Sequence, residues 1–518
     1  MSASKPSLER QYFPLIGFFV ALKLLLNLLA GGHYGFHRDE MLHLALGDHL
    51  DWGYMEVPPL IALLAKISTT SFGSSVMAAR VFTALASGLM VWLTGLLTIE
   101  FGGKRFAIAL ACLCVIFSPG MAASGYLFQP VVFDQLWWLL AAYLTVRYVN
   151  SKEVRYLYWL GVATGFGLLN KYTMAFFAGA LLLGMIISPQ RKLLWNRHTL
   201  IAIGIATLIF LPNVWWQYAH HWPIVKHMTE LKHQQLEHVS AADFIVPQFL
   251  IHGASVMVWL IGLGFLLFSN VMRDHRFVGL AYLIVFAFLL KMNGKAYYLL
   301  AGYPMLFAAG GAGISYLLRN YIARSVALVL FIAPNLILLP LILPVLNIDK
   351  TLGLFRYFRT NVPAMNFAVT WEDQQKHPLT QDYADMFGWE EMAKKASEAY
   401  HQLTPEQRKQ AIVFADNYGE AAAIHIYSKK YDLPPLVSLS SSFALWAPPV
   451  LHARYLIYVS DDDDVSDLAP MADSIQRTGR VTNALARERG TGIFLIRNID
   501  PKLEAIYSTH RKAARLEQ

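Results

Sequence analysis

The chain has 518 residues, of which 56% are hydrophobic and only 15% charged, with a mean hydropathy of +0.40. That balance lies outside the range of soluble globular chains and marks a polytopic membrane protein. The net charge of +8 is spread over short loops between apolar spans instead of one basic face, which argues against nucleic acid as a partner.

A membrane helix needs about 20 mostly apolar residues, and roughly eleven segments qualify. They are 12–31, 77–99, 106–122, 130–149, 156–170, 173–188, 199–218, 246–269, 277–292, 296–317 and 325–346. The first follows basic residues as a signal peptide would, but 31–38 offers no small-residue cleavage site and more spans follow, so it reads as a membrane helix. Cys112 and Cys114 lie two apart in one apolar segment, where a helix points them in different directions. A cytoplasmic N-terminus puts the loops with Lys104/Arg105, Arg147/Lys152/Arg155, Arg191/Lys192/Arg197, Arg273/Arg276 and Arg319/Arg324 inside, as the positive-inside rule requires. The longer loops 32–76 and 219–245 then fall outside. After residue 348 charge rises, long apolar runs stop, and strand-like Ile412–Ala415, Tyr455–Val459 and Ile493–Ile496 alternate with helical stretches. The expected architecture is therefore an α-helical polytopic membrane domain over 1–348 and a soluble α/β domain over 349–518. An odd number of spans puts the latter on the outer, periplasmic side of the cytoplasmic (inner) membrane.

Polar residues in this frame are few and gather on that outer side. His37-Arg38-Asp39-Glu40 follows the first span, and Asp48, Asp51, Trp52, Glu56, Pro58 and Pro59 follow in the same loop. Asp134 stands at the mouth of the fourth span, where an ionisable side chain must face protein or a water-filled cavity; a helix N-cap after Pro130 is the competing reading. Lys171, Lys291 and Lys295 sit at outer helix ends, where they can pair with a phosphate or snorkel to the interface, and snorkelling suits Lys291 best. Tyr297, Tyr298 and Tyr303 follow Lys295 closely. The loop 219–245 carries His220, His221, His227, His233 and His238, read as an interfacial helix rather than a zinc site; His221, beside Trp222-Pro223, can reach a phosphate. Asn417-Tyr418-Gly419-Glu420 follows a strand and opens a helix, the place where α/β domains bind ligands, although such a loop can equally pack on the membrane domain. Asp461–Asp464 lacks the ligand spacing and glycine of a calcium loop and reads as a solvated turn.

As an ordered set, several of these residues resemble the GT-C membrane glycosyltransferases. They are Asp39-Glu40, Glu56 before Pro58-Pro59-Leu60, Asp134 after Gln129-Pro130, Asn170-Lys171, Lys295 with Tyr297-Tyr298 and Pro304, and Asn417-Tyr418-Gly419-Glu420-Ala421. The resemblance covers most of the chain and is to the bacterial relatives of protein O-mannosyltransferases and of the lipid A aminoarabinose transferase, which draw a sugar from a polyprenyl-phosphate carrier. It implies transfer of one sugar to a lipid, glycan or protein acceptor, with inversion, and it implies Asp39 as the catalytic aspartate and Asp134 as a second. The chemistry agrees: a sugar leaving a lipid phosphate needs a carboxylate base near the acceptor and cations on the phosphate.

Asp39 in a dry cleft should have a raised pKa; the competing reading is a cap for a helix over 41–47. Glu40 can orient Asp39 or touch sugar hydroxyls, and His43, one turn on, can hydrogen-bond either acid. Lys295, Lys171, Arg38, His221 and Tyr298 are the donor-phosphate candidates, with His43, Glu56 and Tyr297 lining the substrates. Val57 stands where the aminoarabinose branch has Lys, so the resemblance does not extend to aminoarabinose as the sugar. No cofactor is implied and no metal site is assigned, although Asp39 and Asp134 could share a divalent cation. The alternative function, a transporter or flippase of a lipid-linked glycan, predicts repeated halves and broken helices at mid-membrane rather than polar residues collected at one surface.

Overall fold

The computed structural model describes residues 10–234 and 236–516, and the side chains of Gln234, His238 and Ala364 also lie outside the described set. All eleven apolar segments are helical. The first, sixth and seventh match Phe13–Gly31, Thr173–Ile187 and Arg197–Ala219 closely, while 106–122 breaks before Pro119 into Arg105–Phe117 and Pro119–Ser124. Among the described residues, four helices are long and apolar enough to cross a membrane: Phe13–Gly31, Val76–Glu100, Arg197–Ala219 and Tyr321–Ile342. A fifth joins them if Ala241–Leu250 and Gly253–Phe268, bent by 98°, count as one span. The other expected spans are shorter, or carry polar residues such as Asp134 and Arg147 in Pro130–Ser151.

Side chains pair with the backbone at the bend. Gly253 takes a φ of +52° there, the Ala254 N–H donates to Asn335 Oδ1 at 2.9 Å, and Asn335 Nδ2 donates to Ser255 Oγ at 2.8 Å. In lipid, irregular backbone survives only where protein groups satisfy it in this way. Elsewhere small residues let helices approach closely. A Cβ on Gly262 would stand 2.1 Å from the Leu306 carbonyl oxygen, and one on Gly310 would stand 2.0 Å from that of Val258. Those two glycines therefore weld Val256–Phe268 to Tyr303–Leu317.

Toward the C-terminus the chain forms a five-stranded sheet in the order β2-β1-β3-β5-β4. Its strands are β1 (Ala411–Ala415), β2 (Leu436–Val437), β3 (Tyr455–Ser460), β4 (Ala472–Arg480) and β5 (Gly492–Ile499). The β2, β1 and β3 strands run parallel, whereas β5 pairs antiparallel with both β3 and β4. The three segments expected as strands are β1, β3 and β5. The helix Tyr418–Tyr431 leaves β1 and packs on the helix Arg38–Asp48 of the first outer loop. Three further contacts seat the sheet layer on that loop: the Met55 N–H donates to Ser442 Oγ at 3.0 Å, His49 stacks on Trp446 at 4.0 Å, and His425 Nε2 lies 3.1 Å from Asp48 Oδ2.

Candidate active site

The helix Arg38–Asp48 begins with a reciprocal cap. His37 Nδ1 accepts the Asp39 N–H at 3.2 Å, and Glu40 Oε2 accepts the His37 N–H at 2.9 Å. Capping by Asp39 of a helix over 41–47 is thus not what forms: the helix starts three residues earlier, His37 and Glu40 hold its end, and the Asp39 carboxylate is left for other work. Glu40 is fully buried, bound through both oxygens to Arg80 Nε and Nη2 at 2.8 and 2.7 Å, and it also accepts the Phe128 N–H at 2.8 Å. Burial alone would raise its pKa, but Arg80 and the backbone donors outweigh burial and hold the carboxyl below its usual range. With both oxygens so engaged, Glu40 is a positioning residue that fixes the loop to the head of the second long helix.

Asp39 is clasped from two sides. The Tyr418 hydroxyl donates to Oδ1 at 3.0 Å, and Gln129 Nε2 donates to Oδ2 at 3.1 Å. Arg38 stacks on the Tyr418 ring at 4.3 Å, donates to Asn417 Oδ1 at 3.0 Å and stands 3.7 Å from Glu488. Arg38 therefore docks the C-terminal layer, a task different from the expected phosphate contact. Burial pushes the Asp39 pKa up, but His37, His43, the Tyr418 hydrogen bond and Arg38 together bring it below the usual carboxylate value. The expected rise is overturned because the desolvated carboxylate is surrounded by hydrogen-bond donors, imidazoles and Arg38, which favour its ionised form. His43 meets the Phe128 carbonyl oxygen through Nδ1 at 3.2 Å, so its hydrogen bond goes there and not to Asp39 or Glu40. Burial lowers its pKa and favours the neutral imidazole.

Glu56 lies across the same junction. Ser442 Oγ donates to its Oε2 at 2.7 Å, while Oε1 is buried without a partner. Burial raises the Glu56 pKa to about 7 against the opposing hydrogen bond from Ser442. Asp134 sits inside Pro130–Ser151, not at its N-cap, which is Gln129. Its Oδ2 accepts the Thr173 hydroxyl at 2.7 Å and its Oδ1 is buried and unpartnered. Five residues separate it from Gln129, about one and a half helical turns. Asn170 Nδ2 donates to the Pro130 carbonyl at 3.0 Å, tying two helix ends together and bringing Lys171 within electrostatic reach of Asp134.

The Lys171 ammonium lies over the rings of Tyr298 and Tyr297, 5.2 and 5.7 Å from their centroids. Lys295 and Tyr297 are both within electrostatic reach of Asp39. The structure thus joins Lys171, Lys295, Tyr297 and Tyr298 to the two aspartates. His221 lines an apolar cavity of about 520 Å³ with Trp222, Val225, Lys226 and Leu516, a lining that includes none of the Lys171, Lys295 and tyrosine group. Among the described residues no three His, Cys, Asp or Glu side chains gather closely enough to hold a metal ion, and no step below is routed through one.

Four residues at the site escaped the sequence reading of roles: Tyr418, Gln129, Arg80 and Ser442. Arg80 left a signal, an arginine heading an apolar span, which demands a buried acid. Tyr418 and Gln129 stood inside recognised motifs, but nothing local tied them to Asp39.

The sequence pattern of the family described as dolichyl-phosphate-mannose-protein mannosyltransferase matches residues 56–216. The lipid A galacturonosyltransferase RgtD of Rhizobium johnstonii is 23% identical over 255 residues, 47% of this chain and 52% of that protein. The chain thus spans about half the length of the curated relative it matches. Among solved structures, ArnT from Cupriavidus metallidurans bound to undecaprenyl phosphate has a TM-score of 0.61 at 14% identity, covering 93% of this chain and 98% of that one. The apo state of the same protein gives 0.59 at 13% identity over the same shares, 93% and 98%. These structural likenesses establish the fold. Over residues 56–216 the chain is thus similar to that mannosyltransferase family, and its fold is the fold of ArnT.

Proposed function

We propose that this chain is an integral-membrane glycosyltransferase that moves one sugar from a polyprenyl-phosphate donor to a lipid, glycan or protein acceptor on the outer face of the cytoplasmic membrane. The observation that carries the reading is Asp39, a carboxylate kept ionised by Tyr418, His37 and Arg38 and set near the Lys171, Lys295 and tyrosine group. The undecaprenyl phosphate bound to the fold neighbour ArnT supports a polyprenyl carrier, and the galacturonosyltransferase relative supports a lipid acceptor.

In the reaction an acceptor hydroxyl attacks the anomeric carbon from the face opposite the phosphate. Its proton passes to Asp39, the bond to the phosphate oxygen breaks with its electron pair, and Lys171, Lys295 and Tyr298 stabilise the charge on the departing lipid phosphate. Direct displacement inverts the anomeric configuration. Asp134, with one oxygen unpartnered, and Glu56 and Tyr297 line the substrates, while Glu40 and His43 keep the loop in place. Residues 1–348 form the catalytic membrane domain with eleven spans, and 349–518 form a periplasmic α/β domain. Transfer rather than transport is favoured because the acidic and cationic groups converge on one ionised base.

Asp39→Asn keeps the shape and removes the base, so transfer should fall by about 10²–10⁴-fold with polyprenyl-phosphate binding retained. Mass spectrometry of envelope lipids, glycans and glycoproteins from a deletion strain carrying either version reads the outcome. Undiminished glycosylation in the variant would remove Asp39 from the role of base.

A further inference from the structure

We propose that a second cleft, in the C-terminal sheet layer, binds a phosphate or carboxylate group of the acceptor, so that the molecule glycosylated by this chain is itself anionic. The inference rests on the glycosyltransferase reading above and assigns the acceptor class.

The cleft has a volume of about 450 Å³ and lies where the 487–491 connection between β4 and β5 meets the turn after β3 and the docking residues Arg38 and Asn417. Arg38 and Asn417 are chain neighbours of Asp39 and Tyr418, the hydrogen-bonded pair at the proposed base. A molecule held in the cleft therefore approaches the base from the C-terminal layer, away from the Lys171 and tyrosine group.

Most of the charged walls are already paired. Glu488 stands 3.7 Å from Arg38, Arg487 binds Asp385 and Glu372 at 3.2 and 2.9 Å, and Asp463 is joined to Arg477. That leaves Arg480 and Arg489, exposed on the rim and without an ion pair among the described residues, facing Asp461. Two free guanidiniums around one cavity suit a tetrahedral phosphate or a carboxylate, because each offers a planar fork of donors.

The floor adds donors in need of partners, since Arg38 Nε and Asn417 Nδ2 are buried and make no hydrogen bond. The loop is shaped around the rim arginine as well. Gly490 takes a φ of +108°, which favours glycine, and its Cα side faces the Arg480 guanidinium. Apart from Arg38, which the structure engages in docking, none of these residues was a candidate for the donor phosphate.

The test uses the full-length protein in nanodiscs, with inorganic pyrophosphate as the probe and thermal shift as the readout. A saturable pyrophosphate shift should be present in the parent, lost in the double variant R480Q/R489Q and retained in K295Q. A shift lost only in K295Q, or unchanged in R480Q/R489Q, would overturn the proposal by placing the anion at the donor site or elsewhere. A shift seen in phosphatidylcholine but abolished in phosphatidylglycerol nanodiscs would assign the cleft to bulk lipid headgroups and would also overturn it. In a transfer assay, R480Q/R489Q should raise KM for a phosphorylated acceptor about tenfold or more, with kcat and the donor KM unchanged. Absence of transfer by the parent would remove the enzymatic reading while leaving the pyrophosphate result to stand or fall by itself.

Discussion

The Tyr418 hydroxyl donates a hydrogen bond to Asp39 from 379 positions along the chain, and that bond is worth most to the charged carboxylate. Removing it in Tyr418→Phe raises the Asp39 pKa, since a donor that favours the anion is gone while burial remains. Ionised base is then lost sooner as pH falls. The acidic limb of the kcat/KM profile should move to higher pH, with polyprenyl-phosphate binding unchanged; a superimposable profile would show that Tyr418 does not hold down the Asp39 pKa. Asp39 itself was legible in the sequence because an acid at the edge of an apolar span has few inert places to go. Its lowered pKa was not, because burial alone was legible and the neighbours were not: Tyr418 is 379 positions away, and His37 acts electrostatically from a position its helix cap fixes. Glu40 shows the converse, an acid beside the base whose bond to Arg80 turns it into scaffold.

At the level of elements, helix contact by glycine carries the membrane half. Gly310→Ala would place a methyl group 2.0 Å from the Val258 carbonyl oxygen, forcing Val256–Phe268 away from Tyr303–Leu317 at a cost of about 1–3 kcal/mol. Thermal melting in detergent should show that loss, whereas Gly264→Ala, with nothing within 4 Å of the added carbon, should leave the melting point unchanged or raised. The helices were readable from apolar runs, but their continuity was not: hydropathy does not register the stop at Ser118-Pro119 or the 98° bend that Asn335 secures. The strands divide the same way. β1, β3 and β5 lie inside the sheet and are apolar, while β4 is an edge strand reading Ala-Asp-Ser-Ile-Gln-Arg-Thr-Gly-Arg, with one side unpaired and little apolar surface to announce it. Edge strands commonly carry charge for just that reason.

For the molecule as a whole, the proposed topology puts the catalytic loop and the sheet layer together on the periplasmic side and the 150–155 turn in the cytoplasm. Both native cysteines are fully buried, so a single introduced thiol reports cleanly. A membrane-impermeant maleimide added to intact spheroplasts should label Asp467→Cys and spare Glu153→Cys, both exposed positions. The reverse pattern would invert the topology and with it the face on which the reaction runs.

The hydrogen bond between Tyr418 and Asp39 also sets a clock on synthesis. Asp39 enters the membrane 379 residues before its partner is made, an interval of roughly 20–75 s at bacterial elongation rates of about 5–20 residues per second. Throughout that time the growing chain carries Arg38 and Asp39 without the tyrosine that joins them, and Lys171 and Lys295 are added before that tyrosine is. On the proposed reading, competence for transfer therefore arrives only when the C-terminal layer has docked onto the first outer loop.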